Sequence, residues 1–411
     1  MVDPVTAQTV RYDDSRSRYV LVCCGALFAI ATEALIGFLL PLLALQQQLP
    51  PTQLGLLVAA GSIGPILFAL PGGAFCDHFG DRRMMMISAV GVALSTLAYT
   101  LFDDFYLLCM VAVVGGFFRG MSWVATQSYA MRFISAARRQ RFMGHFSFVA
   151  GIGMLITPLA AGWLSEHINL ASGFKFMACW GGSLFIVAWL LPNLHRPVNK
   201  SRKLIDVMMA SYVDALPLLA RPIIVVIMAF TLLRLAAAAI NSSFYPVHLN
   251  DIGTSITVMG QLFALIHVGT SVGTLIAAPL GRRFSTATVL GFSVALSLLS
   301  IAMVPFYNTL TAIAFWTLLH GLGQGISLPQ ILAAIGRHTD NSERGLVLGM
   351  RSMFNRTGYL FVPVMLGVMV QNAGLQIAFM VVAGGLLLLV LVSTIALARI
   401  DKSDDRSIDK N

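Results

Sequence analysis

The sequence predicts an all-α membrane protein of twelve transmembrane helices, arranged as two pseudo-symmetric six-helix bundles. Three observations lead there. Hydrophobic residues make up 57% of the 411 residues and charged residues 11%, against roughly 25% charged in a soluble domain. The charges fall in clusters that leave apolar runs of about twenty residues, the length a helix needs to cross a hydrocarbon core. The basic residues lie almost wholly in alternate loops, as a membrane topology demands.

The runs place spans 1 to 6 at 19–44, 53–75, 84–102, 105–132, 143–165 and 171–192, and spans 7 to 12 at 222–246, 253–280, 286–306, 309–336, 346–370 and 374–398. Runs this long and uniformly apolar lack the alternation of a membrane barrel. The first is too long for a signal-peptide core and is expected to remain as span 1. With both termini cytoplasmic, 22 of the 27 Lys and Arg fall in the tails and inner loops and none in the outer loops. The other five, Arg119, Lys175, Arg234, Arg351 and Arg356, fall inside spans. That asymmetry sets the orientation by the positive-inside rule. The expected home is a bacterial inner membrane.

Four segments are predicted: a six-helix bundle over 1–192, a cytoplasmic linker over 193–221, a second bundle over 222–398 and a tail over 399–411. Leu204, Val207, Met208 and Tyr212 stand at helical spacing in the linker, so a short interfacial helix is expected there. The bundles repeat. Gly73 and Arg82-Arg83 recur 200 residues on, as Gly273 and Arg282-Arg283. Gly120, Ser122, Arg139, Gly144, Gly153, Pro158 and Gly162 recur 205 residues on, as Gly325, Ser327, Arg344, Gly349, Gly358, Pro363 and Gly367. Repeats of this kind build transporters whose substrate site lies between the halves near the midplane.

The net charge of +9 forms no stripe for nucleic acid. Cys23, Cys24, Cys76, Cys109 and Cys179 show neither metal spacing nor a disulfide framework. No nucleotide loop, nucleophile elbow or metal cluster occurs, so an enzyme and an ATP-driven pump are not expected, nor is a cofactor. A sensor or scaffold would account for the spans but not for the features below.

After span 2 the chain reads Gly73-Ala74-Phe75-Cys76-Asp77-His78-Phe79-Gly80-Asp81-Arg82-Arg83. Gly73 is expected to let helices approach closely and Gly80 to permit the turn. Asp77 suits a neighbouring helix N-terminus, and Arg82 and Arg83 anchor the loop. This stretch resembles the signature loop of the major facilitator superfamily, G-x-x-x-D-[RK]-x-G-x-[RK]-[RK], and departs from it at His78. The resemblance implies a fold of two six-helix halves clamped together by this loop on the cytoplasmic side, working as a monomer. The second copy has Ala277 where Asp77 stands in the first. Gly115 to Gly120 on span 4, enclosing Arg119, is similar to a signature of the drug:proton antiporter branch. Gly153 to Gly162 on span 5, with Pro158, is similar to that branch's G-x-x-x-G-P-x-x-G-G motif; Thr157 and Ala161 replace two of its glycines.

A charge at mid-membrane survives only with a partner or a purpose. Glu33 is the single acid well inside any span, about 21 Å along span 1 at 1.5 Å per residue. Arg119, Arg234, His267 and His320 fall in the same layer. Glu33 reads as a proton carrier whose poise Arg119 sets, and the resemblance implies the same; the alternative is a static pair. Arg234, His267 and His320 form a basic wall in the C-terminal half that would suit a carboxylate, phosphate or catecholate-like group, with Trp123, Gln127 and Asn241 as further cavity residues. Alternatively the histidines make neutral hydrogen bonds between helices. Arg351, Asn355 and Arg356, near the inner start of span 11, are expected to snorkel or to touch the signature loop. Proton-coupled efflux of a small organic molecule is the leading expectation, and import of an organic anion with protons the other.

Overall fold

The computed structural model describes residues 16–135, 138–194, 212–340 and 343–408, all helices and connecting turns without a strand among them. Span 1 is Arg16–Gln46 and span 2 is Pro51–Phe68 followed by Gly72–Phe79. Spans 3 to 6 are Asp81–Ala98, Phe105–Phe133, Arg139–His167 and Leu170–Leu190. Span 7 is Pro222–Asn241 continued by Tyr245–Asp251. Spans 8 to 12 are Ile256–Arg283, Thr286–Met303, Leu310–His338, Arg344–Ala373 and Leu375–Ile408. Eleven of these are long and apolar enough to cross a membrane. The twelfth, span 3, opens on Asp81, Arg82 and Arg83 and carries its charge at one end.

Local chemistry sets the ends. Asp104 accepts from the Leu107 amide at 2.9 Å and Asn169 from the Ser172 amide at 2.9 Å, capping spans 4 and 6. Pro51 and Pro222 open spans 2 and 7, where a missing amide proton costs nothing. Pro71 sits where span 2 breaks. Span 12 runs ten residues past its predicted end, to Ile408. Of the expected linker helix, Leu204, Val207 and Met208 lie outside the described residues; Tyr212 begins one helical turn, and its hydroxyl donates to the Leu67 carbonyl of span 2 at 2.6 Å.

The halves meet along spans 2 and 11 and along spans 5 and 8, and the repeat organises both seams. On one seam, a Cβ at Gly55 would fall 2.2 Å from the Pro363 carbonyl oxygen. On the other, a Cβ at Gly260 would fall 2.4 Å from that of Pro158. Gly55 and Gly260 are 205 residues apart, as are Pro158 and Pro363, so these contacts are equivalent. The hydroxyl of Thr52 on span 2 bonds Gln371 of span 11. Its equivalent, Thr257 on span 8, donates its amide to the Glu166 carboxylate of span 5 at 2.6 Å. Gly37 packs on Ser242, its own equivalent, so that contact lies on the pseudo-twofold axis.

All these latches lie at one end, called here the far end; the signature loop marks the loop end. Along span 5, Gly153 and Gly162 pack against spans 1 and 8, whereas a Cβ at Gly144 or Gly151 would meet nothing within 4 Å. The span 5–8 seam is thus joined at the far end, whereas span 11 also stays against span 2 towards the loop end, where a Cβ at Gly349 would fall 2.9 Å from the Leu70 side chain.

Candidate functional site

Glu33 and Arg356 meet at mid-depth where span 1 faces span 11. Arg356 donates through Nη2 to Glu33 Oε1 at 2.9 Å and through Nη1 to Oε2 at 3.2 Å. This fork-to-fork geometry is the strongest an arginine and a carboxylate can adopt. The side chains keep 21% and 23% exposure, so the protein encloses the pair only in part. The expectation that Arg356 would snorkel or touch the signature loop is therefore corrected: it reaches across the halves to Glu33, the acid well inside span 1. Arg119 sits near enough for its charge to act on Glu33 but gives it no hydrogen bond. The Arg119 side chain is 4% exposed. Its Nε has no partner, and the missing side chains of Gly61 and Gly115 leave the space its guanidinium fills.

In the C-terminal half the predicted wall divides. His320 is 1% exposed and locked between spans 9 and 10, its Nδ1 3.0 Å from both the hydroxyl and the carbonyl oxygen of Ser297. Gln324 donates to the same hydroxyl and to the Arg234 carbonyl, each at 2.9 Å. Arg234 Nε donates to the Gln324 carbonyl at 3.3 Å. This network is internal to the half and ties spans 7, 9 and 10 together. His267 on span 8 is partly buried, within electrostatic reach of His320, and makes no side-chain hydrogen bond among the described residues. Asn241 is buried with Oδ1 unpartnered. In the other half Trp123 lies 5.9 Å from the Phe146 ring, and Gln127 one turn on is half-buried. Lys175 is exposed on span 6, away from this layer.

The signature loop is built from ion pairs inside the N-terminal half. Asp77 and Asp81 both pair with Arg132 at the end of span 4, the second at 3.0 Å. Arg82 donates to the Ala188 and Trp189 carbonyls of span 6 at 2.9 and 2.6 Å, satisfying orphan groups at a helix end. Arg83 is exposed. Asp77 thus meets a guanidinium, not the helix N-terminus that was expected. Gly80 adopts φ +88°, as its turn requires. Gly73 is corrected: a Cβ there would meet nothing within 4 Å, whereas its equivalent Gly273 packs on the Leu322 carbonyl. On span 5, Gly153 packs on span 1, and Pro158 and Gly162 on Gly260 of span 8. That motif forms the seam of the halves.

The chain can now be set beside known proteins. A family model described as Major Facilitator Superfamily matches residues 22–233 and 226–410. The chain belongs to this superfamily. Multidrug resistance protein MdtG of Klebsiella pneumoniae (strain 342) is 23% identical over 344 residues, covering 80% of this chain and 79% of that protein. MdtG of Salmonella arizonae is 24% identical over the same length, with 80% and 81% covered. Among solved structures, a mutant form of the nucleoside transporter NupG superimposes with a TM-score of 0.79 at 12% identity, covering 92% of this chain and 99% of that one. The D-xylose-proton symporter superimposes at 0.72 and 16%, with 93% and 96% covered. These superpositions establish the twelve-helix fold.

Proposed function

We propose that this superfamily member is a proton-coupled secondary transporter that exports a small organic molecule by alternating access. The observation that carries this is the Glu33–Arg356 pair: the acid at mid-depth bridges the two halves and is only partly enclosed by the protein. While ionised, Glu33 holds span 1 to span 11. Once protonated it loses its charge, the fork opens, and the halves are freed to exchange which end is closed. Arg119, within electrostatic reach of Glu33, is the second residue of this coupling site. The MdtG relatives, multidrug resistance proteins by name, support efflux. The distribution of Lys and Arg supports a cytoplasmic loop end, and the bacterial MdtG relatives support an inner-membrane home.

The test is proton movement in proteoliposomes of known orientation, followed with a pH-sensitive dye across lipophilic cations and organic anions. Substrate added at the loop end should drive protons in the opposite direction, and Glu33→Gln should abolish that signal in a protein that still folds and inserts. Uphill transport surviving in Glu33→Gln would reduce Glu33 to a structural tie. Substrate and protons moving together would support the second reading, anion import by symport, which Arg234 favours because it has no carboxylate partner among the described residues.

A further inference from the structure

Two arginines of the C-terminal half are left over once Glu33 is taken by Arg356. Arg234 on span 7 spends only Nε, on a backbone carbonyl. Arg351 on span 11 has a buried Nε with no hydrogen-bond partner. Neither has an ion pair among the described residues, and their charges act on each other. Their helices touch directly: a Cβ at Gly358 of span 11 would lie 3.2 Å from the Leu232 carbonyl oxygen of span 7. Such a pair inside a membrane protein calls for an anion.

Arg351 is followed on its own face by an amide with an unmet need. Asn355 stands one turn beyond it, at a spacing that shares a helix face. Its Oδ1 is buried without a donor, and a buried acceptor left unpaired is costly. Guanidiniums ask for negative charge, and amide oxygens ask for N–H or O–H groups.

We propose that Arg234, Arg351 and Asn355 form the substrate site, and that its ligand is a small organic anion carrying hydroxyl or amine donors. This rests on the transporter reading above and names its substrate class. An anionic lipid headgroup shares part of that chemistry, and the experiment separates the two.

The full-length protein is purified with zwitterionic lipid only, and binding is measured by calorimetry and thermal shift. The probes are gluconate and 3-hydroxybenzoate, set against glucose, 3-hydroxybenzamide and the donor-free hexanoate, with phosphatidylglycerol added in a separate arm. At least one hydroxylated anion should bind about tenfold or more tightly than its uncharged match and than hexanoate, and Arg351→Gln and Arg234→Gln should each remove about that factor. Arg351→Lys keeps the charge and should retain part of the binding, which guards against misfolding of the glutamine variants. No preference for the hydroxylated anions, or equal loss of charged and neutral probes in the variants, overturns the proposal. Binding confined to phosphatidylglycerol assigns the arginines to lipid and overturns it too. Proton coupling is read separately: if Glu33→Gln still couples while Arg351→Gln loses anion binding, the coupling reading fails and this one stands.

Discussion

Gly80 joins spans 2 and 3 with φ +88° and ψ 133°, a conformation nearly reserved for glycine. Gly80→Ala should cost about 1–3 kcal/mol, read as a lowered Tm in detergent. Gly73→Ala, with open space at its Cβ, should leave Tm unchanged. Asp77→Asn keeps the shape of the loop but removes one of the two carboxylates on Arg132. It should slow transport turnover with little loss of stability, and unchanged turnover would sever this loop from conformational cycling. At this scale the sequence exposed residue types better than partners. Glu33 stood out as the single acid in the spans, and Gly80 as a turn. Arg356 did not stand out, because span 11 was predicted to start at residue 346 but starts at Arg344, which made the arginine look shallow. Pairing the lone acid with every arginine inside a span would have found it. His320 could not be sorted by depth, since a packed histidine and a cavity histidine differ only in which way they face.

Packing between helices is where the seams acquire their tolerance limits. Gly260→Leu would drive a side chain into the Pro158 carbonyl, and nothing flexible lies there to yield. The span 5–8 seam must part, so cysteines placed near Gly162 should label faster with a membrane-impermeant thiol reagent than in the parent protein. Labelling as slow as in the parent would contradict the seam. Outside the spans, Arg221 donates twice to the Glu343 carboxylate, each at 2.8 Å, tying the start of span 7 to the start of span 11. The Arg221 bonds hold the Glu343 carboxyl below its ordinary range. A depressed folded value stabilises the native state above the unfolded value and loses that contribution as pH falls through the folded one. The Tm deficit of Arg221→Gln against the parent should therefore be largest above the ordinary glutamate range and shrink as pH falls through the window below it. Helix existence was legible from apolar run length. The break in span 2 and the extension of span 12 were not, because the amide proton missing at Pro71 and helix continuation into polar sequence leave no mark on hydropathy.

At the scale of the molecule, duplication left its imprint as contacts and not only as sequence. The 205-residue offset read from glycines and a proline also relates Gly55 to Gly260, Thr52 to Thr257 and Gln371 to Glu166, residues that sequence inspection gave no reason to align. The ion pair breaks the pattern: the equivalents of Glu33 and Arg356 are Ala238 and Gly151. Charge sits at one of two matching positions. A double variant, Glu33→Gln with Arg356→Gln, should keep the fold and lose the coupling, measured as surviving Tm with no substrate-driven dye response.

The far-end latches are matched in position but not in chemistry. Glu166 presents a carboxylate to the amide end of span 8, an attraction that salt screens; Gln371 and Thr52 share a neutral bond that salt leaves alone. High ionic strength or protonation on that side loosens one seam and spares the other. The molecule would then open as a door does, with spans 2 and 11 as the hinge and spans 5 and 8 as the swinging edge.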